Sequence, residues 1–436
     1  MKLHIENFAR ISSADILLDG LTVIAGNNNT GKSTIGKVLY AFFRGQSDIV
    51  RRVKNERIKA VRDAFRNYVS SDLPEKVCTE ILNGVRNAHE VLSELLATDN
   101  VASDLGSSSS NDLLTMVVSP ETKEAIARKV EELVLKAKTM PFEQVSWNIF
   151  RRVLECVFHG QYHPLKKESH PACIQVEIKG DLNEIRFYHD RAELKRPTRL
   201  FAKARLVSTP DVIGLLNVRD LEQNEKYANV LGKETYELAV ELIRERIRES
   251  VISEAGKKEI VDSIVSELSK ACGGLDIERD GRGDYVLLEP DNDMPTKVEN
   301  LSMGMKFFVL IKRMLVRNVL TDQDVLIFDE PENHLHPEWQ VVYAHAVVLL
   351  QKAFHLTVLV TSHSEFFINA LQRFAISEDI ADKTHFYVSR NDDVRPGYFT
   401  FDDKGIFAGQ IFRSFNRAYD RISEMSGEAE DEDFVE

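Results

Sequence analysis

The residues best suited to chemistry lie in a glycine-rich stretch near the start of the chain. Residues 26–33 read GNNNTGKS and satisfy every fixed position of the phosphate-binding loop pattern, after a predicted strand, Leu21–Ala25, and before a predicted helix from about Ser33 to Phe43. Glycines let the backbone curl so that successive N–H groups point at phosphate oxygens, and the start of a helix adds partial positive charge. The pattern predicts that Lys32 reaches the β- and γ-phosphates of a nucleotide and that the Ser33 hydroxyl ligates Mg²⁺.

A pair of acids ends an apolar segment much later in the chain, at residues 324–330 (DVLIFDE). The segment predicts a strand whose end carries Asp329, placed to hold Mg²⁺, and Glu330, placed to orient or deprotonate an attacking water. Alone, such acids are more often solvated carboxylates in a turn. The complete phosphate-binding loop makes the functional interpretation the better one.

Two shorter motifs flank these acids. Residues 301–306 (LSMGMK) come just before an apolar helix, which Ser302 is suited to cap. Residues 361–364 (TSHS) end a predicted strand downstream of the acids and contain His363. A histidine alone would be assigned to the edge of the core, but its position after a strand and a Thr-Ser pair favours a role in the same site.

With these motifs in this order, the chain resembles the ABC-type ATPases of the SMC, RecF and OLD (overcoming lysogenization defect) group. In that group a signature of the form LSxG, a D-loop and a switch histidine follow the phosphate-binding loop. Residues 330–337 (EPENHLHP) match the EPExxLHP form of RecF- and OLD-like proteins, and the opening of the chain is similar to the first lobe of the group. The resemblance covers about residues 1–45 and 275–370.

The resemblance implies roles for further residues. Ser302 and Gly304 would bind a γ-phosphate held by an opposing subunit, and His363 would contact that phosphate and sense its loss. The residues expected to contact the nucleotide are Asn27, Asn28, Asn29, Thr30, Gly31, Lys32, Ser33, Thr34, Ser302 and Gly304. Glu330 and His363 are expected to serve hydrolysis, and Ser33 and Asp329 to hold the metal.

Two features depart from transporter-type relatives. The signature has Met303 and Met305-Lys306 in place of a Gly-Gly-Gln run, which disfavours transport. The glutamine loop, another Mg²⁺ contact of the family, has no clear match, and neither Gln161 nor Gln223 is assigned to it.

The order of predicted elements places the chain in the α/β class, as a P-loop NTPase of ABC type with a two-lobed mixed sheet and a mainly helical insertion. Strands are predicted within residues 3–8, 15–25, 324–328 and 356–361, hairpins at 172–189 (turn at 180–183) and 275–290 (turn at 280–283), and helices at 233–253, 257–271, 301–320 and 338–353. The expected domains are an ATPase head at 1–45 and 273–423, an insertion at 46–272 that partly returns to the head, and an acidic tail at 424–436. The insertion lacks long heptads, which predicts a compact domain rather than a coiled coil.

Charge and hydropathy limit the partners. The net charge is −13 over 436 residues, so nucleic-acid contact would need a local basic surface. Residues 51–66 and 195–205 are basic and could contact phosphates, although solvated helix faces are the commoner explanation. No apolar run is long enough to span a bilayer and no secretory signal is visible, so a cytoplasmic protein without a membrane partner is expected.

The cysteines leave one alternative open. Cys78 and Cys272 are isolated, and the four cysteines indicate no disulfide framework. Cys156, His159, His170 and Cys173 have metal-ligand spacing and could close a zinc site. The other interpretation places Cys156 in the core and the histidines at the surface.

The functional expectation is therefore an ATPase that uses ATP and Mg²⁺, hydrolyses slowly and forms a homodimer or higher homo-oligomer through ATP. Asp392-Asp393 and Asp402-Asp403 have the wrong spacing for the Toprim nuclease domain that OLD-like nucleases append, so no nuclease is expected here. By resemblance, the chain would control a separate effector, a nuclease or toxin, as in bacterial anti-phage systems. The alternatives are a DNA-repair or DNA-clamp ATPase of the RecF/SMC kind, and a scaffold that binds ATP but barely hydrolyses it.

Overall fold

The computed structural model of the chain describes residues 1–72, 120–161, 171–188, 191–195, 200, 202–223, 227, 232–244, 251–272, 276–288 and 294–406. The strands are β1 Lys2–Phe8, β2 Ile11–Leu17, β3 Leu21–Ala25, β4 Ala172–Ile178, β5 Asp181–Tyr188, β6 Arg191–Lys195, β7 Ala204–Val207, β8 Asp276–Arg279, β9 Tyr285–Leu288, β10 Thr296–Lys297, β11 Val325–Asp329, β12 Thr357–Ser362, β13 Thr384–Asn391 and β14 Phe399–Asp403. The α-helices are α1 Lys32–Gln46, α2 Ile49–Asp72, α3 Pro120–Thr139, α4 Phe142–Phe158, α5 Lys233–Ile243, α6 Val251–Cys272, α7 Met303–Val316, α8 Pro337–Phe354 and α9 Glu365–Ser377. Short 3₁₀ helices include Pro210–Asn217 and Leu221–Gln223.

Eleven strands form one mixed sheet in the order β6-β5-β4-β1-β2-β14-β13-β3-β12-β11-β7, and β10-β9-β8 form a small second sheet. One side of the large sheet is antiparallel through β1, β2, β4, β5 and β6. The other side is parallel through β13, β3, β12, β11 and β7. This is the mixed α/β fold of P-loop NTPases, and it confirms the expected fold class.

The parallel side decides where the strand ends meet. Ser362 of β12 lies opposite Ala25 of β3, and Asp329 of β11 lies opposite Thr361 of β12. The interiors of these strands are apolar and buried, as expected for parallel strands inside a layered fold. The segments that follow β3, β11 and β12 therefore emerge side by side at one edge of the sheet.

Several predicted element boundaries were wrong for local backbone reasons. The apolar stretch 15–25 is broken at Gly20, where φ is +92° and an added Cβ would lie 2.6 Å from the Lys383 carbonyl oxygen. The β4–β5 turn is at Lys179 and Gly180, both with positive φ, rather than at 180–183, because β5 already begins at Asp181. The helix predicted to reach 253 ends at Ile243, since Arg244 is extended with ψ of 134°.

The other boundaries shift less. The β8–β9 hairpin turns through residues 280–283 as predicted, with Asp280 Oδ1 accepting from the N–H groups of Arg282 and Asp284. The helix expected at 257–271 begins earlier, at Val251. The signature helix stops at Val316 rather than at residue 320, with Arg317 as its C-cap.

The described residues fall into two compact units. The first draws on Met1–Arg44, Val153–Lys195 and the described part of the chain from Ala202 onward, and the second on Gly45–Arg152 and Arg196–Phe201. In the second unit Ile49 and Val53 of α2 pack with Val145 and Ile149 of α4. The expected insertion, 46–272, thus contributes to both units, and the expected tail lies outside the described residues. None of the helices in the described ranges is both long and apolar enough to cross a membrane.

Candidate active site

The glycine-rich loop joins β3 to α1, and its glycines are required by its shape. Gly26 has φ of +151°, and an added Cβ would lie 1.8 Å from Ser389 Oγ. Gly31 has φ of +93°, in the region that L side chains avoid. Thr30 is buried and its hydroxyl donates to the Asn27 carbonyl oxygen at 2.9 Å. These contacts fix a tight turn, while Asn27, Asn28 and Asn29 remain exposed.

The loop presents backbone donors that no described protein group satisfies. The first backbone hydrogen bond of α1 runs from Ile35 N to the Gly31 oxygen at 3.3 Å. Within the described residues, the N–H groups of Gly31, Lys32 and Ser33 have no protein acceptor. The first N–H groups of a helix need a cap, water or ligand, and together with the helix dipole they favour an anion. The loop therefore fits a phosphate group.

Lys32 is held inside this loop. Only 3% of its surface is exposed, and its Nζ donates to the Asn27 carbonyl oxygen at 2.7 Å. The same nitrogen lies 3.6 Å from Glu330 Oε1. Burial lowers the pKa of Lys32, and the nearby Glu330 carboxylate opposes that shift. A cation is thus fixed at the centre of the loop, facing the acids at the end of β11.

The acids are fixed by Thr361, the residue before the last of the neighbouring strand β12. The Thr361 hydroxyl donates to Asp329 Oδ1 at 2.5 Å, and Glu330 N donates to the Thr361 carbonyl oxygen at 3.1 Å. Asn333 Nδ2 donates to Glu330 Oε2 at 3.1 Å. Because parallel pairing sets Thr361 opposite Asp329, the positions of both acids follow from the strand register.

His363 approaches the same carboxylate from β12. Its Nδ1 lies 3.6 Å from Glu330 Oε1 and 3.6 Å from Glu332 Oε1. This nitrogen has no hydrogen-bond partner within the described residues. The structure therefore brings together three residues that are distant in the chain. Lys32 is the first residue of α1, Glu330 follows β11 and His363 follows β12.

Glu332 is a member of this site that the sequence interpretation passed over. It is 3% exposed, and its Oε1 accepts from Ser362 Oγ (2.6 Å), His363 N (2.9 Å) and Ser364 N (3.3 Å). Its Oε2 has no hydrogen-bond partner in the described part of the chain. Burial raises the pKa of Glu332. Its presence in the motif EPENHLHP was the only signal in the sequence, and the motif was used there to support the family resemblance and not to assign Glu332 a role.

The signature residues lie at the start of α7. Ser302 is exposed and caps α7, its Oγ accepting from Met305 N at 3.3 Å. Gly304 packs so closely that an added Cβ would lie 3.0 Å from the Trp339 ring. In the described chain, no hydrogen bond or ion pair joins Ser302 or Gly304 to Lys32, Glu330 or His363.

The residues at the loop fit Mg²⁺ in chemical type. Ser33 and Thr34 are half-buried at the start of α1, and Asp329 offers a carboxylate at the end of β11. Mg²⁺ prefers oxygen ligands and commonly takes only one or two from protein, with phosphate and water completing its shell. The hydroxyl of Ser33 and the carboxylate of Asp329 are donors of that kind.

The structure bears on two further predictions from the sequence, the zinc site and the basic stretch 195–205. Cys156 is exposed, so the interpretation that places it in the core was wrong, whereas Cys173 is buried; both are free thiols. His170 lies outside the described residues. No group of three or more metal-ligating side chains occurs among the residues that the structure describes. Arg205, counted in the basic stretch 195–205, is buried in an ion pair with Asp324 (2.7 Å), so neither explanation offered for that stretch, phosphate contact or a solvated face, applies to this residue.

The fold and the site define a P-loop NTPase, with a glycine-rich loop between β3 and α1 and acids at the end of the nearby parallel strand β11. The chain belongs to the AAA ATPase domain family, whose match covers residues 1–368.

The comparison with solved structures also gave matches, each at low identity. The chain is similar to an SMC head bound to the C-winged helix domain of ScpA, with 12% identity over 94% of this chain and 98% of that chain and a TM-score of 0.42. It is similar to the SMC head domain from Thermotoga maritima, with 10% identity, 92% and 97% coverage and a TM-score of 0.36. A third is the ADP conformation of MJ1267, an ATP-binding cassette of an ABC transporter, with 12% identity, 93% coverage of both chains and a TM-score of 0.34.

Glu332→Gln is expected to fold at least as stably as wild type, because an amide oxygen can still accept from Ser362, His363 and Ser364 while the buried charge is removed. Glu332→Ala removes the acceptor and is expected to lower the free energy of unfolding by about 1–3 kcal/mol. Since the raised pKa keeps Glu332 protonated in the folded state at pH values where the unfolded chain is already ionised, wild-type stability relative to Glu332→Gln should increase as pH falls through that pKa. Urea unfolding of the three proteins across pH measures this, and a Glu332→Gln variant as unstable as Glu332→Ala would contradict it.

Proposed function

We propose that this chain binds ATP with Mg²⁺ and hydrolyses it slowly, as an OLD/RecF-like ATPase of ABC type. The observation that carries the proposal is the position of the Glu330 carboxylate between Lys32 and His363 at one sheet edge. Glu330 Oε1 lies 3.6 Å from Lys32 Nζ and 3.6 Å from His363 Nδ1. A buried cation beside unpaired backbone N–H groups suits a triphosphate, and a carboxylate next to it suits the activation of water. AAA ATPase family membership supports the same reading.

In this proposal each residue has one task. Lys32 and the loop N–H groups bind the β- and γ-phosphates, and Ser33 and Asp329 hold Mg²⁺, which neutralises phosphate charge when bound. Glu330 accepts a proton from the attacking water. His363, 3.6 Å from Glu330, is placed to register whether the γ-phosphate is present.

We further propose that ATP joins two chains. The exposed Ser302 cap, followed by the buried Gly304, is a helix N-terminus of the kind that binds a phosphate, and no hydrogen bond or ion pair joins it to the phosphate-binding loop within the described residues. A second chain would supply that loop, so that Lys32 of one subunit and Ser302 of the other enclose the same nucleotide.

Ser302→Asp tests this assembly. Aspartate still caps α7, but its charge opposes the γ-phosphate, so dimerisation with a non-hydrolysable ATP analogue should weaken about tenfold or more while nucleotide binding to one chain persists. Mass photometry measures the dimer fraction, and Ser377→Asp, on an exposed position of α9, serves as the matched control. Equal dimerisation of both variants would remove the signature from the interface.

The biological role we propose is control of a separate effector, a nuclease or toxin, in bacterial anti-phage defence. The match of residues 330–337 to EPExxLHP supports it. Affinity purification of the Glu330→Gln protein from cells that retain the neighbouring genes, followed by mass spectrometry, tests it. A stoichiometric nuclease or toxin-like partner is the expected result, and recovery without such a partner would count against the role.

The alternative function, a DNA-repair or DNA-clamp ATPase, is favoured by one feature. Helix α2 exposes the basic residues Arg51, Lys54, Lys59 and Arg66. If this surface grips duplex DNA, hydrolysis should be stimulated by DNA and the stimulation should fall steeply with salt. ATPase rates that are the same with and without duplex DNA would exclude this alternative.

A further inference from the structure

A cavity of about 360 Å³ lies in the first unit, and none of the active-site residues named above lines it. Its walls come from the 3₁₀ segments after β7 and from the β8–β9 hairpin, with Leu216, Val218, Leu221 and Ile243 as the apolar part. A neighbouring depression of about 540 Å³ shares Glu222, Ile243 and Arg279 with it. Ligand pockets typically measure about 300–1,000 Å³, so the cavity is of a size for a small molecule.

Five arginines and three acids line this cavity and its neighbour. The arginines are Arg219, Arg244, Arg279, Arg282 and Arg317, and the acids are Asp220, Glu222 and Asp284. Glu222 is paired with Arg244 at 3.1 Å and Asp284 with Lys297 at 2.8 Å. The pKa of Asp284 is lowered by the hydrogen bond from Lys297 and also by the charges of Arg219 and Arg282, neither of which forms a short ion pair in the described chain. Arginines thus outnumber acids in this concave region of a protein whose net charge is −13.

A buried guanidinium stands directly behind the cavity wall. Arg313 is 7% exposed and lies 4.6 Å from the ring centre of Tyr285, a wall residue, while Arg279 lies 4.7 Å from the same ring. Arg313 Nη2 is buried and has no hydrogen-bond partner in the described part of the chain. Burial and the neighbouring Arg317 lower the pKa of Arg313. Two guanidinium groups against one ring are mutually repulsive, and a bound anion would offset that repulsion.

We propose that this cavity binds a small phosphorylated ligand, about the size of a mononucleotide, separately from the phosphate-binding loop. Guanidinium groups bind phosphate oxygens in pairs, which a cluster on several elements can do from more than one side. The apolar wall would accept the uncharged part of the ligand. Because Asp220, Glu222 and Asp284 also line the site, it suits a compact anion that contacts only the arginines better than the extended backbone of a duplex.

The test uses inorganic pyrophosphate as the probe and Lys32→Ala in every protein, so that the phosphate-binding loop does not account for the signal. Isothermal titration calorimetry should show binding, and Arg219→Glu with Arg282→Glu should weaken it by at least about tenfold. Arg373→Glu, an exposed arginine on α9, is the matched control and should leave the affinity unchanged. Thermal unfolding of each protein verifies that the variants remain folded.

Absence of pyrophosphate binding by the Lys32→Ala protein, or equal affinity in the double variant, would overturn the proposal. A parallel titration with duplex DNA addresses the other source of phosphate. If DNA binds through Arg219 and Arg282 while pyrophosphate does not, the site serves nucleic acid and the small-ligand proposal is wrong. Pyrophosphate binding is measured without ATP hydrolysis. A negative result therefore leaves the proposed ATPase function unaffected, and loss of the ATPase proposal would leave the cavity proposal unaffected.

Discussion

Glu330→Gln is expected to reduce kcat for ATP hydrolysis by about 10²–10⁴-fold, the contribution typical of a positioned general base. The amide keeps the size of the side chain and can still accept the hydrogen bond from Asn333, so the local structure should persist. ATP affinity should be retained or increased, because a carboxylate 3.6 Å from the Lys32 ammonium is replaced by a neutral group. Phosphate release under single-turnover conditions, together with nucleotide titration, separates the two effects.

The control for this variant is Glu338→Gln, an exposed glutamate in the first turn of α8, which should hydrolyse ATP at the wild-type rate. Because the Glu330→Gln protein should hold unhydrolysed ATP, mass photometry should show an assembly that persists after ATP addition. Wild-type hydrolysis by Glu330→Gln would remove Glu330 from the base role. If Glu330→Gln loses hydrolysis as expected but the assembly does not change, the proposed ATPase activity stands and the proposed dimer that shares the nucleotide is refuted.

Asp324→Ala is expected to lower the free energy of unfolding of the first unit by about 3–5 kcal/mol, the usual cost of removing one partner of a buried ion pair. Asp324 Oδ2 lies 2.7 Å from Arg205 Nη1, and both side chains are almost fully buried. The same carboxylate accepts from Thr321 Oγ1 at 2.7 Å and from Lys203 N at 2.9 Å. Its loss therefore leaves several buried donors unsatisfied just before β11.

Tryptophan fluorescence measures this effect in one unit. The chain has two tryptophans, and in a Trp147→Phe background Trp339 of α8 reports on the first unit alone. Asp382→Ala, at an exposed position, is the control and should change the urea midpoint little. A difference below about 1 kcal/mol between Asp324→Ala and this control would mean that Glu241, 2.7 Å from Arg205, suffices to compensate the buried guanidinium.

Much of the parallel half of the fold could be predicted from the sequence because its signals are local. The glycines of the phosphate-binding loop, the apolar run before Asp329 and the run before His363 each specify a turn or a strand within a few residues. Helix ends were harder, since Arg244 and Arg317 carry no strong stop signal and the chain turns there in response to packing.

The candidate site was also only partly predictable from the sequence. That Lys32, Asp329, Glu330 and His363 belong to one site was a hypothesis from motif order, and the parallel register of β3, β12 and β11 is what places their segments together. Glu332 had no separate signal in the sequence, because its importance comes from Ser362, His363 and Ser364 closing over it from another strand.

The sequence by itself determined the class of chemistry, a phosphate-binding loop with acids and a histidine in a set order, because backbone geometry and side-chain type at such a loop are decided locally. Only the tertiary structure decided which charged side chains are buried and which are exposed to solvent. Arg205 was grouped with basic residues that could contact phosphates, yet it pairs with Asp324, 119 positions away in the chain. Arg313 lies against the Tyr285 ring, and its Nη2 has no hydrogen-bond partner in the described part of the chain. Burial and pairing depend on partners distant in the chain, so no local pattern records them.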